Sequence, residues 1–455
     1  MSATMEQLRE QVRGGVVSSE DEGYEEARKV YNAMIDKRPD AVVRCVDAGD
    51  VIAAVNYARE NGLPLAIRGG GHSVPGFGTW DGGVVVDLSG MRAVRVDPRN
   101  KTARAGGGAT WGDFNHATHA FGLATTGGII STTGVAGLTL GGGIGYLARG
   151  LGLSCDSVVS ADVVTANGEL VMANKDENAD LFWALRGGGG NFGVVTSLEF
   201  QLQPVDMIYG GPMFYELGEV ANILRFYRDY IGDASEQMGC FPAFQIAPPL
   251  PFIPENRHGH TFVAMVACWS GPMDEGEAAL KPFHDVAPVV AEFVGPMPYP
   301  ALNSAFDGLV PPGLQHYWKA NFVKELTDEA IAAHVEHGPK IPAVNSTMHI
   351  YSINGACHRV APDETAFAYR DANFATVIAG MWPDPAENEA NIGWVRNYYD
   401  ATAPHSEEGG YINFMAGDDQ DRIRANYKGN YDRLVEVKRA HDPGNLFRVN
   451  QNIKP

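Results

Sequence analysis

The feature that most narrows the fold of this chain is the bunching of its glycines. Three clusters stand out: Gly69–Gly71 with His72, Gly141–Gly145, and Gly187–Gly190. Glycine lets backbone adopt positive φ and approach a neighbour or ligand closely, so such clusters mark places where the main chain itself is a contact surface. There are 54 glycines in 455 residues, about 12% against a usual value of about 7%. A hydrophobic fraction of 45% argues for a packed protein and against a collagen-like or disordered chain.

Two clusters spell dinucleotide-type patterns, Gly188-x-Gly190-x-x-Gly193 and Gly143-x-Gly145-x-x-Ala148. A Rossmann site needs a strand, then the glycines, then a helix whose N-terminus faces the pyrophosphate. Around Gly188 the order reads helix, glycines, strand, and no clear strand precedes Gly143, so a Rossmann fold is rejected. The first cluster differs. In Ile67-Arg68-Gly69-Gly70-Gly71-His72-Ser73 a strand runs into small residues whose successive N–H groups suit an anion nest. Locally, a plain turn with a solvent-facing His72 is an equal reading, and the further glycine segments favour a bound diphosphate. A bulky residue at Gly70 is expected to occupy the place of a phosphate oxygen.

Thirty-five basic against 55 acidic residues leave a charge of −20, which disfavours nucleic acid and anionic membrane surfaces as partners. Five widely spaced cysteines form no CxxC pair and read as reduced thiols. The charged start MSATMEQLREQVRGG is unlike a signal peptide. Residues 114–148 lack Asp, Glu, Lys and Arg but hold eight glycines between 127 and 148, too many for a spanning helix. A cytoplasmic protein is expected. The pairs His116/His119, His258/His260 and His334/His337 lack a third ligand at recognisable spacing, so no metal is expected.

Helical spacing predicts a helix over residues 22–36, through Tyr24, Ala27, Tyr31, Met34 and Ile35. A second runs from Asp50 as N-cap to Asn61, stopped by Gly62. Thr110 caps a helix through Phe121, and Asn167-Gly168 suits a type I′ hairpin turn. After Pro204 glycine thins out, and strands such as HTFVAMVACW, STMHIYSI and FATVIAGMW alternate with long helices. The fold class is therefore α+β, with an antiparallel sheet and covering helices over residues 206–419.

The segment RGGGHSVPGFGTWDGGVVVDLSGM resembles the diphosphate loop and covalent-flavin signature of FAD-linked oxidases of the vanillyl-alcohol-oxidase and p-cresol-methylhydroxylase (PCMH) class. Later blocks, TTGGIISTTGVAGLTLGGGIGYLARGLGLSCDSVVSADVVTANGE and DLFWALRGGGGNFGVVTSLEF, follow in the same order, and YKGNYDRLVEVKRAHDPGNLFRVNQNI resembles the berberine-bridge-enzyme-like C-terminal signature. The resemblance implies a two-part PCMH-type FAD-binding domain at 1–205 with its core at 38–204, a substrate domain at 206–419, and a segment, 420–455, that returns to the FAD domain. It implies that Arg68, Gly69, Gly70, Gly71, His72 and Ser73 cradle the diphosphate, with His72 bonded to the flavin. Gly127, Gly128, Thr132, Thr133, Gly137 and Thr139 would line the flavin, Val195 would meet the adenine side, and Asn450 and Asn452 would approach the ring.

Two departures from the family follow. Many relatives carry a second flavin link from a cysteine, and Ile130 stands in that place. One link, through His72 only, is expected, as in flavoenzymes of the 6-hydroxy-D-nicotine oxidase type, with Cys155 a buried small hydrophobe. Relatives that oxidise alcohols often use the last tyrosine of Tyr-x-Asn-Tyr as base, but here the segment is Tyr411-Ile412-Asn413-Phe414. In a strand Tyr411 and Asn413 would share the face opposite Phe414. Tyr411, Asn413, Tyr369 and His358 are the remaining candidates. The implied activity is hydride transfer from a CH–OH or CH–NH group of a small molecule to FAD, with O2 as final acceptor. A dehydrogenase with another acceptor, and a flavin-carrying binding protein without turnover, stay open as alternatives.

Overall fold

Three sheets of four or more strands organise residues 4–455, which the structure, a computed structural model, describes. The first orders Val16–Ser18, Ala41–Arg44, Val84–Asp87 and Leu65–Arg68, with its last three strands parallel. The second is antiparallel and orders Val94–Asp97, Thr102–Gly106, Val194–Gln201, Val158–Val164 and Leu170–Asn174. The third has eight antiparallel strands between Met207 and Trp382. Four helices, Val220–Asp233, Gly276–Val286, Asp328–His337 and Asn388–Thr402, cover one face of it. The fold is thus mixed α+β, and no Rossmann unit is present among the described residues.

Local chemistry explains most element boundaries. The first long helix spans Ala48–Asn61 and ends on Gly62 in the left-handed region. Its N-cap is Asp47 rather than Asp50: the Asp47 side chain accepts the Asp50 N–H, while the Asp50 carboxylate takes the N–H groups of Arg13, Gly14 and Val46. Thr110 caps Trp111–His119 in a reciprocal box with Asp113. In the covering helix Val220–Asp233, Val220, Ile223, Leu224, Tyr227 and Ile231 form the buried stripe.

Three expectations are corrected. The helix over 22–36 shrinks to Tyr24–Ala27, because later N–H groups are drawn off to distant carbonyls: Tyr31 donates to Gly71 and Ala33 to Leu314. At Asn167-Gly168 only the glycine has positive φ. Gly168 N–H bonds to Thr165 O and Thr165 N–H to Glu169 O, which is a type I turn closed by a left-handed glycine rather than type I′. Tyr411–Phe414 is no strand: Ile412–Phe414 is a 3-10 turn in which Phe414 N–H donates to Tyr411 O. Its alternating faces therefore do not exist.

The C-terminal helix Tyr431–His441 is fastened by one buried cation. Lys438 Nζ donates to Asp442 Oδ2 at 2.7 Å and to the carbonyls of Asn191 and Phe447 at 2.8 Å, and neither charge is exposed. Removing one partner of such a pair strands the other in a low dielectric. Lys438→Ala is therefore expected to lower stability by about 3–5 kcal/mol, read as a depressed thermal denaturation midpoint.

Candidate functional site

The open face of the eight-stranded sheet forms one wall of a cavity of about 1270 Å³. Drug-sized pockets run about 300–1,000 Å³, so there is room for a cofactor and a substrate together. Successive strand residues alternate faces. His316 and Trp318, then Thr347, His349 and Tyr351, then Val377, Ala379 and Met381 line the cavity. Their neighbours Tyr317, Met348, Ile350 and Ile378 pack under the covering helices.

Backbone makes the other wall. The loop after Leu65–Arg68 carries Gly70, whose added Cβ would lie 2.5 Å from Gly134 N; one added at Gly134 would lie 2.6 Å from Gly70 N. The expectation for Gly70 is therefore corrected: it is glycine because a second loop lies against it, not to clear space for an oxygen. Open space lies instead at Gly137 and Gly190, where an added Cβ meets nothing within 4 Å. Both line the cavity with Gly71, Ser73, Gly128 and Thr133. Asn450 Oδ1, Gln451 Nε2, His316 Nε2 and Trp318 Nε1 are buried without a hydrogen-bond partner, and their four residues line the same space. Bare glycine cradles and unspent polar atoms are what a large polar-and-aromatic cofactor such as FAD requires of its site.

Arg68 lines the cavity, yet its guanidinium is paired with Asp87 at 2.8 Å and donates to Lys29 O. Burial raises the Asp87 carboxyl, but Arg68 beside it wins and holds it below its usual range. His72 stacks on Tyr31 at 3.7 Å, and its Nε2 lies 3.0 Å from Thr132 Oγ1. Burial, with His316 nearby, pushes its pKa down to about 3, so the ring is neutral. Ile130 also lines the cavity.

Other sequence candidates sit behind this wall. Gly69 backs onto Gly107, Gly127 onto the Trp111 ring, and Val195 O onto Gly107. Thr139 Oγ1 and Asn452 Oδ1 are buried without partners. Asn413 and Phe414 line the cavity, whereas Tyr411, Tyr369 and His358 do not. Tyr411 Oη accepts the Gly143 N–H and the Asn413 amide. Tyr369 Oη donates to Ala425 O and accepts the Gly409 N–H, and burial pushes its pKa up to about 12. His358 Nε2 is bound to Ala372 O at 2.9 Å. Tyr369 and His358 are thus spent on backbone, and Tyr411 Oη on the Gly143 N–H and the Asn413 amide. Sequence reasoning missed His316, Trp318, His349 and Tyr351, although STMHIYSI already reads as a strand whose period of two puts Thr347, His349 and Tyr351 on one face.

Among the described residues no group of three or more His, Cys, Asp or Glu side chains is assembled to hold a metal ion, and no helix is long and apolar enough to cross a membrane. All five cysteines are buried and free of disulfides.

Comparison with known proteins agrees with the site. A family model described as an FAD binding domain matches residues 39–174, and one described as berberine and berberine like matches 410–454. The uncharacterized FAD-linked oxidoreductase YgaK of Bacillus subtilis is 32% identical, over 97% of both chains. The (R)-6-hydroxynicotine oxidase of Paenarthrobacter nicotinovorans is 31% identical, covering 98% of this chain and 97% of its own. The crystal structure of 6-hydroxy-D-nicotine oxidase from Arthrobacter nicotinovorans superposes with a TM-score of 0.86 at 28% identity, over 98% of each chain.

Two outcomes follow from the geometry. Gly137→Leu places a side chain in open cavity and, lying within the helix Val135–Leu140, should gain about 1 kcal/mol of helix propensity. Flavin carried per mole of protein should nonetheless fall, which absorbance spectra of the purified variant measure. Burial also holds His316 down to about 4 and His349 down to about 3, from 6.5. Below pH 6.5 the unfolded chain thus binds protons that the folded state refuses. Stability should fall between pH 6.5 and about 4, by up to about 1.4 kcal/mol per pH unit for each ring. Denaturation midpoints across that window should show the fall, and His316→Asn should lessen its slope while His349 and His72 sustain the rest.

Proposed function

The chain belongs to the FAD-linked oxidoreductases with a berberine-like C-terminal segment, and from that premise we propose that it is an oxidase of a small organic molecule. It oxidises a CH–OH or CH–NH group, and O2 takes up the electrons as hydrogen peroxide. The observation that carries this reading is one cavity with two unlike walls, glycine backbone on one side and an aromatic sheet face on the other. Residues 1–205 with 420–455 hold the cofactor, and residues 206–419 supply the substrate wall. Bound there, FAD supplies a hydride acceptor that oxygen can re-oxidise.

The chain's own residues bind, orient and exclude water. The 68–73 loop offers N–H groups to the diphosphate, its shape held by the Gly70–Gly134 contact. Arg68 contributes little free charge, since Asp87 already neutralises it. His72 is the single covalent tether: its ring is neutral, faces the cavity, and is oriented by Thr132 and Tyr31. Ile130, which has no sulfur, and Cys155, which is buried beside Asp156 and does not line the cavity, support a single tether. Sheet side chains hold the donor carbon against the ring, and such positioning is a large part of what a protein adds to a cofactor's chemistry.

Anaerobic addition of amines, sugars and aromatic or alicyclic alcohols to the holoenzyme should bleach the flavin band with at least one donor. Air should restore it with release of peroxide. Bleaching that air does not reverse would make it a dehydrogenase, and no bleaching by any donor would leave a binding protein. His72→Ala should release FAD into the supernatant on acid precipitation, whereas the parent protein stays yellow.

A further inference from the structure

A chain of three side chains on the strand Thr347–Ser352 has one polarity that leaves no two lone pairs facing each other. Thr347 Oγ1 lies 3.0 Å from the Phe244 carbonyl, which can only accept, so the threonine must donate there. Its oxygen is then free to accept from His349 Nε2, 2.9 Å away, and that nitrogen must carry the proton. His349 Nδ1 is left as a lone pair, and it takes the hydroxyl proton of Tyr351 at 2.5 Å. Burial, which keeps His349 uncharged at neutral pH, agrees with this tautomer. Tyr351 Oη has therefore committed its one proton away from the ligand space and can offer a ligand only lone pairs.

The surroundings restrict the ligand further. Tyr351 packs 4.8 Å from the Phe241 ring and 5.9 Å from Phe414. Val266, Trp318, Val377 and Met381 continue the surface. Leu250, Phe252 and Phe293 also line the cavity, and Leu250 and Phe293 are exposed. Among the described residues the only charged side chain lining the cavity is Arg68, already paired with Asp87. Nothing there compensates a charged substrate, and few groups would satisfy the many hydroxyls of a sugar.

We propose that Tyr351 accepts the hydroxyl hydrogen of an uncharged, largely apolar alcohol, with His349 and Thr347 as the positioning residues that aim its lone pairs. The inference rests on the oxidase reading above and names its substrate class. The step balances. The donor C–H leaves as hydride to FAD with two electrons, the alcohol carbon becomes a carbonyl carbon, and the O–H bond breaks. That proton passes to Tyr351 Oη while the tyrosine's own proton moves to His349 Nδ1. A carbonyl oxygen still bearing its proton is a much stronger acid than an imidazolium, so a neutral histidine suffices as the final acceptor.

The test uses the holoenzyme in two measurements. Nitrogen NMR of the histidine rings should show His349 protonated at Nε2 alone, and Thr347→Val should disturb that preference. Protonation at Nδ1 in the parent protein overturns the proposal irrespective of any turnover. Anaerobic flavin reduction is then followed with benzyl alcohol, cyclohexylmethanol, benzylamine, N-methylbenzylamine, glucose and cellobiose. The alcohols with apolar bodies should reduce the flavin, and Tyr351→Phe should slow them by about 10²–10⁴-fold with FAD content unchanged. His349→Ala should slow them as well, and His349→Asn, whose amide oxygen can take the Tyr351 proton, should recover part of the rate. Reduction by amines or sugars alone, or an undiminished rate in Tyr351→Phe, overturns this inference and leaves the oxidase reading standing. No reduction by any donor overturns both.

Discussion

The cavity exists because two buried arginines hold the halves of the molecule at a set separation. Arg149, in the first half, spends all five of its N–H donors on the second: the Asn354 side chain and the carbonyls of Ile231, Ala234, Ser235 and Met238. Several of these carbonyls close the C-terminal end of the helix Val220–Asp233, where unpaired acceptors would otherwise remain. Arg370 reaches back the other way to Asp156 at 2.6 Å, with both side chains buried. Arg149, with every donor paired, keeps its fork geometry, and the bidentate Arg370–Asp156 pair adds a second tie between the glycine wall and the sheet wall. Every later feature of the site depends on that separation.

Within the cavity, the glycine wall works by subtraction. Gly70 and Gly134 come together so that two loops, far apart in sequence, form one continuous backbone surface. Gly137 and Gly190 then leave that surface bare toward the cavity. Because Asp87 neutralises Arg68, the 68–73 loop presents backbone N–H groups rather than a free cation. This suits a chain whose charge of −20 offers little long-range attraction for an anionic cofactor. The C-terminal segment completes the wall: Lys438 ties its helix to Asn191, and Asn450 is delivered beside Gly190.

The facing wall works by polarity. Phe414 offers the cavity no hydroxyl, and Tyr411 Oη is taken up by the Gly143 N–H and the Asn413 amide. The titratable side chains on this wall are His316, His349 and Tyr351 of the sheet. Burial keeps those histidines neutral, so they present lone pairs and N–H groups rather than charge.

Much of this was legible in the residues themselves. The glycine clusters excluded a Rossmann site by their order relative to strands, and Thr110 and Gly62 marked helix ends through capping chemistry that is local in sequence. Ile130 ruled out a thioether by its atoms alone. The helix expected over 22–36 gives way because hydrogen bonds to distant partners outbid local pattern: Tyr31 bonds to Gly71 instead of its own helical turn. Residues 165–169, by contrast, close on a local turn of another type, and residues 411–414 on a local 3-10 turn in place of a strand. The large sheet hid its chemistry for a related reason. All nine residues of Phe374–Trp382 are buried, so both faces are apolar and no alternation betrays which one meets the ligand. By itself the sequence determined the elements, the bare backbone and the histidine beside it, since these follow from side-chain size and near-neighbour bonding. Only the tertiary structure decided which strand face closes the cavity and which polar groups remain unspent there, because both depend on partners that folding alone brings together.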